Sequence, residues 1–464
     1  MKARTLGLLA VALGGLAGPA IAAERTLPGG RFGNVTVEMP PGPVKSVALF
    51  ISGDGGWHLG VVNMAKHLVD AGAVVVGIDI RNYLDALGKI EPSRCNDLAV
   101  DFEQLSHDVQ KRLALPEYRL PVLLGYSSGA TLVYAALVQS PPGTFAGGLS
   151  LGFCADQDCK GRAPCRGTGL HYTPNKRGDF VFEPAPKLEE RWIALQGQQD
   201  EVCDAAAVDR FASGIPAARV VRLAKVGHGF GVERNWLPQF LASYRELAER
   251  ASPPIAASPL EDLPLVEVRG KNESQQFVVL LTGDGGWAGL DKGITEKFAS
   301  QGIATVALNS LKYFWTRRTP EKTAQDVSRV IQHYLEAWKK DRVILVGYSF
   351  GADVMPFVLN KLPGEVRAKV GTVNLLGLSS TATFEVKVGD WIGGAADGLP
   401  IAPQVAALRN PPPMQCLYGE GEKDSLCSRL PAHVARQKIG RGHHFSGDYD
   451  AIAQAILQFA KSSG

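Results

Sequence analysis

Gly347-Tyr348-Ser349-Phe350-Gly351 follows directly on the apolar run Val343 to Val346 and precedes the helix-compatible segment Ala352 to Met355. The pattern predicts a strand, a sharp turn and a helix, with the serine at the turn. Glycines flank the serine because a strained turn leaves little room for Cβ atoms, and the following helix N-terminus favours developing negative charge. We therefore interpret Ser349 as a candidate nucleophile on a strand-to-helix elbow.

The surroundings of this elbow occur twice in the 464-residue chain. VALFISGDGGW at 47–57 returns as VVLLTGDGGW at 278–287, and LLGYSSGA at 123–130 returns as LVGYSFGA at 345–352. VGHGF at 226–230 returns as RGHHF at 441–445. The same order in both halves indicates duplication of a whole domain. We predict domains at 25–250 and 265–464, joined by the proline-rich linker ASPPIAASPLEDLP at 251–264.

Each copy alternates apolar strand-like runs with amphipathic helical patterns, which is typical of α/β proteins. In the second copy the predicted strands are Phe277 to Thr282, Thr305 to Leu308, Val343 to Val346 and Val370 to Leu376. Between them, Val327, Val330, Ile331, Tyr334 and Trp338 lie on one helical face and form a core stripe. The predicted fold class is α/β: two tandem hydrolase-type domains, each a mostly parallel sheet covered by helices on both faces.

A nucleophile elbow in this fold class is followed along the chain by an acid and then a histidine. Both copies meet that order: Ser127, Asp200 and His228 in the first, and Ser349, Asp424 and the pair His443-His444 in the second. Asp200 and Asp424 are favoured over Glu201, Glu420 and Glu422 because each aspartate has a cysteine three residues further on. The repeat favours His443 as the base, with His444 as the alternative.

The Gly-Asp-Gly-Gly-Trp loop lies where this fold supplies a backbone amide to an oxyanion hole. The predicted donors are Phe350, which follows the nucleophile, and one of Gly286 and Trp287. Alternatively the glycines only make a tight turn. Asp284 in the same loop is predicted either to cap the next helix or to contact a cationic part of a substrate.

The N-terminus reads as a secretory signal at 1–22. Lys2 and Arg4 precede an apolar run from Leu6 to about Ala17, and Ala20-Ile21-Ala22 resembles a cleavage site. A membrane anchor is the alternative, although the run is shorter than the ~20 apolar residues of a membrane span. The net charge of +3 and the lack of a basic stripe argue against nucleic-acid binding.

Seven cysteines in an exported chain predict disulfides. The second copy contains only Cys416 and Cys427, so these two are predicted to pair. The five cysteines of the first copy leave at least one thiol free and their connectivity open. No zinc-type cysteine spacing is present, and neither a metal ion nor an organic cofactor is expected.

Four segments together resemble the bacterial virulence-associated VirJ/AcvB family. Three of them are GYSFGADVMPF at 347–357, LKYFWTRRTP at 311–320 and RGHHFSGDY at 441–449, and the fourth is the GDGGW loop, which occurs in both copies. The second half is similar to the single-domain VirJ form, and the two-domain length is similar to AcvB. The resemblance implies a periplasmic α/β-hydrolase that cleaves the ester between lysine or alanine and phosphatidylglycerol. It also implies a working triad of Ser349, Asp424 and one histidine of the pair.

A substrate of this kind carries an ammonium and a phosphate. Candidate contacts to the ammonium are Asp284, Asp353 and Glu420, and candidate contacts to the phosphate are Lys312, Arg317 and Arg318. The first copy lacks counterparts of Tyr313-Phe314-Trp315 and Arg317-Arg318, so a catalytic role for Ser127 is left open.

Two other functions remain possible on the sequence. The chain is alternatively a periplasmic scaffold or chaperone-like secretion accessory with a non-catalytic hydrolase fold, or an esterase for a soluble substrate. The expected partner is a membrane phospholipid headgroup as substrate, with secretion-system components as possible partners. The sequence does not specify the oligomeric state.

Overall fold

The computed structural model describes residues 24–58, 60–91, 95–166, 169–250, 259–270, 274–287, 289–387 and 398–463. The predicted signal peptide and residues 251–258 of the predicted linker lie outside these ranges. Within them, no helix has both the length and the apolar character that crossing a bilayer requires.

The first half contains an eight-stranded sheet and a small antiparallel sheet. Its strands are β1 (Glu24–Pro28), β2 (Asn34–Glu38), β3 (Ser46–Ile51), β4 (Ala73–Ile78), β5 (Val122–Tyr126), β6 (Gly147–Leu151), β7 (Asp156–Gln157), β8 (Tyr172–Pro174), β9 (Phe180–Phe182), β10 (Trp192–Gly197) and β11 (Ala218–Leu223). Its helices are α1 (Gly60–Asp70), α2 (Ile80–Gly88), α3 (Leu98–Arg112), α4 (Ser128–Gln139), α5 (Ala205–Ser213) and α6 (Leu237–Arg250), with 3₁₀ turns at Gly30–Phe32 and Glu233–Asn235.

The second half is built on a seven-stranded sheet. Its strands are β12 (Leu265–Val268), β13 (Gln276–Leu281), β14 (Thr305–Leu308), β15 (Arg342–Tyr348), β16 (Val370–Leu376), β17 (Thr381–Ala382), β18 (Leu399–Pro400), β19 (Met414–Glu420) and β20 (Val434–Arg441). Its helices are α7 (Gly289–Ser300), α8 (Ser310–Tyr313), α9 (Pro320–Ala337), α10 (Phe350–Lys361), α11 (Gly364–Arg367), α12 (Ala402–Ala406) and α13 (Tyr449–Ser462), with 3₁₀ turns at Leu426–Arg429 and Phe445–Gly447.

The two large sheets have matching strand orders. The first runs β1-β2-β4-β3-β5-β6-β10-β11 and the second β12-β14-β13-β15-β16-β19-β20. The strands from β4 to β11 in the first sheet, and from β14 to β20 in the second, are parallel to their neighbours. Antiparallel pairing in these two sheets is confined to the edge that holds β1 and β2 in the first and β12 in the second. This is the strand order of α/β hydrolases, and the predicted fold class is confirmed.

Side chains of a central strand are buried on both faces of the sheet. Val279 and Leu281 of β13 join one apolar cluster, and Val278 and Leu280 join the cluster on the opposite face. Burial on both faces explains why these strands read as continuous apolar runs without alternation. The predicted stripe from Val327 to Trp338 lies along α9 and packs into the first of these clusters.

The two halves are in contact through α3 and the segment that follows it. Tyr118 belongs to the same buried cluster as Trp315 of the second half, and their ring centroids lie 5.1 Å apart. The Trp315 indole donates a hydrogen bond to the carbonyl of Leu115 at 2.8 Å. A buried tryptophan normally pairs its N–H group, and here the partner comes from the other half of the chain.

Three disulfides crosslink the chain. The predicted pair Cys416–Cys427 is confirmed, and the first half contains Cys95–Cys165 and Cys154–Cys203. Cys159 is the remaining thiol and is buried. Three disulfides are typical of proteins that fold in an oxidising compartment.

Candidate active sites

Ser349 occupies a strained turn between β15 and α10. Its backbone has φ 49° and ψ −116°, and Ser127 has nearly the same conformation at φ 54° and ψ −123°. Positive φ is unfavourable for a serine and persists only where the surrounding structure enforces it. In both halves the strained serine lies between a central strand and a helix. This confirms the predicted strand-turn-helix arrangement.

Glycines make this turn possible. A Cβ atom at Gly347 would collide with the backbone of Gly351 and Ala352, and one at Gly351 would collide with the carbonyl group of Leu281 at the end of β13. The elbow helix therefore packs directly against the neighbouring strand.

Replacing Gly351 with alanine is expected to lower the free energy of unfolding by about 1–3 kcal/mol, since the added methyl group must displace backbone rather than a flexible side chain. Urea denaturation at neutral pH measures the change. Gly364→Ala is the matched control, because a Cβ atom there meets nothing within 4 Å. Equal stability of the two variants would contradict the tight packing of the elbow.

In the second half, the structure brings together Ser349, His443 and Glu422. Ser349 Oγ lies 2.8 Å from His443 Nε2, and His443 Nδ1 lies 2.6 Å from Glu422 Oε1. The second oxygen of Glu422 accepts a hydrogen bond from the Gly419 amide at 3.1 Å. This is the arrangement of a nucleophile, a base and an orienting carboxylate.

The prediction of Asp424 as the acid is wrong. Asp424 is exposed, and Glu422 holds the histidine. Cys203 and Cys427, which follow the two aspartates at the same distance, are not equivalent: Cys203 pairs with Cys154, whereas Cys427 pairs with Cys416 of β19.

The glycine at the strand end is the better landmark for the acid. Gly197 and Gly419 each accept a hydrogen bond from the amide three residues later, which belongs to Asp200 in one half and to Glu422 in the other. An alignment on these glycines would have identified Glu422 from the sequence.

His444 is the residue of the histidine pair that does not face the nucleophile. Its Nδ1 lies 2.8 Å from the Tyr348 hydroxyl. Burial, followed by the neighbouring His443, lowers the pKa of His444 and favours the neutral ring. The structure therefore resolves the choice between the two histidines in favour of His443.

The first half holds a second complete triad. Ser127 Oγ lies 2.9 Å from His228 Nε2, and His228 Nδ1 lies 2.9 Å from Asp200 Oδ2. The other oxygen of Asp200 accepts hydrogen bonds from the amides of Val202 and Cys203 at 2.9 and 2.8 Å. All three residues predicted for this half therefore meet.

The structure contradicts one of the predicted oxyanion donors and leaves the other two as predictions. The Gly286 amide donates to the Gly283 carbonyl at 3.0 Å and closes a turn, so the prediction of Gly286 as a donor is wrong. Phe350 begins α10, and its ring packs 4.8 Å from that of Phe314. The donor roles of Phe350 and Trp287 stay predictions.

The predicted acidic contacts lie beside the triad. Asp353 stands one helical turn after Ser349, and its Oδ1 accepts a hydrogen bond from the Ser379 amide at 2.8 Å. Burial raises the pKa of Asp353 well above its usual range, and the charges of Asp284 and Glu422 raise it further. Burial likewise raises the pKa of Asp284, while the nearby His443 acts in the opposite direction.

The predicted basic contacts have other neighbours. Burial lowers the pKa of Lys312, whose charged neighbours are Glu117 and Arg119 of the first half. The Arg318 guanidinium lies 4.9 Å above the Tyr313 ring and donates to the Tyr313 carbonyl at 3.2 Å. Arg317 is exposed. Their role toward a phosphate stays a prediction. Glu420 is exposed and pairs with Arg441 at 3.5 Å.

Residues 45–145 and 275–463 match the family model of the bacterial virulence protein VirJ. Comparison with curated protein sequences gives no match. Similar solved structures include MenH from S. aureus, at 14% identity and TM-score 0.33, covering 43% of this chain and 98% of that one. A lidless α/β serine hydrolase from Xanthomonas campestris has 20% identity and TM-score 0.32, covering 52% and 100%. Esterase 2 from Thermogutta terrifontis has 14% identity and TM-score 0.35, covering 50% and 97%.

Proposed function

Because the chain belongs to the VirJ family of bacterial virulence proteins, we propose that it is a periplasmic serine hydrolase that cleaves the aminoacyl ester of aminoacylated phosphatidylglycerol. Lysine or alanine is the acyl group. The observation that carries the proposal is the contact of 2.8 Å between Ser349 Oγ and His443 Nε2, on a strained elbow with a carboxylate behind the histidine. The three disulfides support an oxidising compartment such as the periplasm.

The reaction follows from the geometry of the triad. His443 Nε2 takes the proton of Ser349 Oγ as the oxygen attacks the aminoacyl carbonyl, and Glu422 stabilises the imidazolium through Nδ1. The imidazolium then gives its proton to the departing glycerol oxygen, which leaves an acyl-serine. Water, activated by the same histidine, releases the free amino acid. The sequence of steps requires neither a metal ion nor an organic cofactor.

Charge at the second site favours an acyl group that carries an ammonium. Asp284 and Asp353 flank the triad, and a cation there would offset the repulsion between the two carboxylates. The first site differs, because Thr131 stands in the position of Asp353. In addition, Asp54 is exposed and accepts a hydrogen bond from the Ser128 hydroxyl at 2.6 Å, whereas Phe350 in the equivalent position has no hydroxyl. We therefore assign the lipid reaction to Ser349 rather than to Ser127.

The test is incubation of the purified mature protein with lysyl- and alanyl-phosphatidylglycerol in mixed micelles, followed by measurement of the free amino acid. Release of lysine or alanine, absent from a Ser349→Ala preparation, supports the proposal. Cleavage of a simple aryl ester without cleavage of either lipid would keep the hydrolase and reject the lipid. If the protein hydrolyses none of these esters, the result would favour a non-catalytic scaffold.

A further inference from the structure

One face of α3, a helix of the first half, is directed at the second half. Glu103, His107 and Lys111 follow one another at intervals of four residues, so they lie on one side of the helix. Lys111 lies 3.3 Å from Glu385 and 4.5 Å from the centre of the Trp315 ring. The His107 ring contacts that of Tyr118 at 4.8 Å, and Tyr118 packs against Trp315. The face is therefore anchored to the second half at its C-terminal end.

At the other end of this face, Glu103 lies against the loop that borders Ser349. A Cβ atom built on Gly285 would stand 3.6 Å from Glu103 Oε1, so the carboxylate lies directly beside the Gly-Asp-Gly-Gly-Trp loop. Asp284 of that loop is a close electrostatic neighbour of Glu103, and so is Asp97 at the start of α3. The second active site is therefore bordered by residues of the first half.

Five carboxylates collect in this region, and we call them the acidic cluster: Asp97, Glu103, Asp284, Asp291 and Asp353. Within the part of the chain that the structure describes, none of them forms a salt bridge with lysine or arginine. Asp291 is 3% exposed, and its Oδ1 has no hydrogen-bond partner among the same residues. Carboxylates buried together without a cation are unfavourable, because each resists ionisation of the next. The neighbours within the chain that can carry a positive charge are His443, beside Asp284, and His444, beside Asp97. A cation bound from outside the chain would offset the repulsion that remains.

We propose that Glu103 of the first half completes, with Asp284 and Asp353 of the second, a pocket that selects a cationic acyl group at Ser349. This inference rests on the proposed function and adds Glu103 as a residue that determines specificity for a positively charged substrate. The cation is an organic ammonium rather than a metal ion. Among the described residues, the group with ligand atoms close enough to share an ion is Asp200, Cys203 and His228, and Cys203 is in a disulfide.

The ionisation of Glu103 supports the assignment. Burial, and then the charges of Asp284 and Asp97, raise the pKa of Glu103 to about 8. Other titratable groups nearby are His107, whose pKa burial lowers to about 4, and Tyr118. Against the effect of burial, His443 and His444 act on Asp284 and Asp97 and lower the pKa of those carboxyls. A bound ammonium favours the carboxylate form, so selection of the cationic ester is expected to strengthen as the pH rises through about 8.

The experiment compares Glu103→Gln with the wild type on lysyl-phosphatidylglycerol and on the same lipid with both amines acetylated. The preference for the cationic ester, as a ratio of kcat/KM values, is expected to fall about tenfold in the variant, mainly through KM. Glutamine keeps the size and shape of glutamate and removes its charge, so the change tests charge. Asp108→Asn is the matched control, since Asp108 lies on the same helix and has Arg112 as its charged neighbour.

A second readout separates selection from a structural role. Because the pKa of Glu103 is raised above its unfolded value, its ionisation destabilises the fold as the pH rises from about 4.5 to about 8. Glu103→Gln is therefore expected to raise the urea midpoint at pH 8.5 and to leave it unchanged at pH 4. A lower midpoint at both pH values, or an unchanged preference for the cationic ester, would overturn the inference.

Binding of lysinamide to the Ser349→Ala protein tests the pocket without turnover. Calorimetry is expected to show binding that Glu103→Gln weakens about tenfold and Asp108→Asn does not change. If the wild type cleaves no lipid but the binding difference persists, the lipid assignment fails and the pocket stands. If the lipids are cleaved and Glu103→Gln alters neither binding nor preference, the inference about Glu103 fails alone.

Discussion

Ser349→Ala is expected to lower kcat for aminoacyl-phosphatidylglycerol on the order of 10⁶-fold, as the loss of a triad nucleophile does in serine hydrolases. The Ser349 hydroxyl supplies the attacking oxygen of this site, at the end of β15 and 2.8 Å from His443 Nε2. The measurement is release of the free amino acid under saturating lipid. Circular dichroism and thermal unfolding check that the variant folds. Alanine keeps the same strained backbone conformation as serine, so little change in stability is expected.

Ser127→Ala removes the same atom from the same backbone turn in the first half, and it is the natural partner of this experiment. Lipid hydrolysis is expected to persist in it, because the acidic cluster borders Ser349 alone. A small aryl ester is the appropriate probe for the first triad. If Ser127→Ala, and not Ser349→Ala, stops release of the amino acid from the lipid, the assignment of the two sites is reversed.

Glu422→Gln is expected to lower kcat about 10⁴-fold while leaving the fold intact, as an uncharged replacement of a triad acid does. The Glu422 carboxylate accepts a hydrogen bond from His443 Nδ1–H at 2.6 Å, so Nε2 carries no proton and can act as the base. An amide can present its NH₂ group to Nδ1 instead, which favours the wrong tautomer and leaves the imidazolium without its counter-charge. Initial rates with an aryl ester measure the loss independently of the lipid.

Asp424→Asn serves as the control for this variant. It removes a carboxylate from the same loop, two residues away, at an exposed position. Activity near that of the wild type is expected. The opposite pattern, an inactive Asp424→Asn protein and an active Glu422→Gln protein, would show that the loop rearranges before catalysis and that the acid is Asp424 after all.

Much of the fold could be predicted because it depends on local patterns. The apolar runs of the second copy became β13, β14, β15 and β16, and the stripe from Val327 to Trp338 became the buried face of α9. Strands and helices of this kind are set by residue periodicity and by glycine at the turns, which a single sequence displays. The two serines and the two histidines His228 and His443 were predicted for the same reason, since repeated motifs gave their order.

The acid of the second triad was predicted wrongly, because several carboxylates lie within a few residues of each other in one loop and the cysteine after them is not an equivalent landmark. The backbone turn after Gly419, and the different pairing of Cys427, decide which of them reaches His443. Similarly, only the packing of Tyr348 against the histidine pair shows that His444 faces away from Ser349.

The sequence by itself therefore determined the duplication, the α/β architecture, the elbow serines and the order in which an acid and a histidine follow. These properties depend on residue types and spacing along the chain. The tertiary structure decided that Glu422 rather than Asp424 contacts the histidine of the second triad, and that Glu103, from the other half of the chain, borders this site. The physical reason is that loop lengths and the contact between the two halves set which distant side chains meet, and neither is encoded in a local pattern.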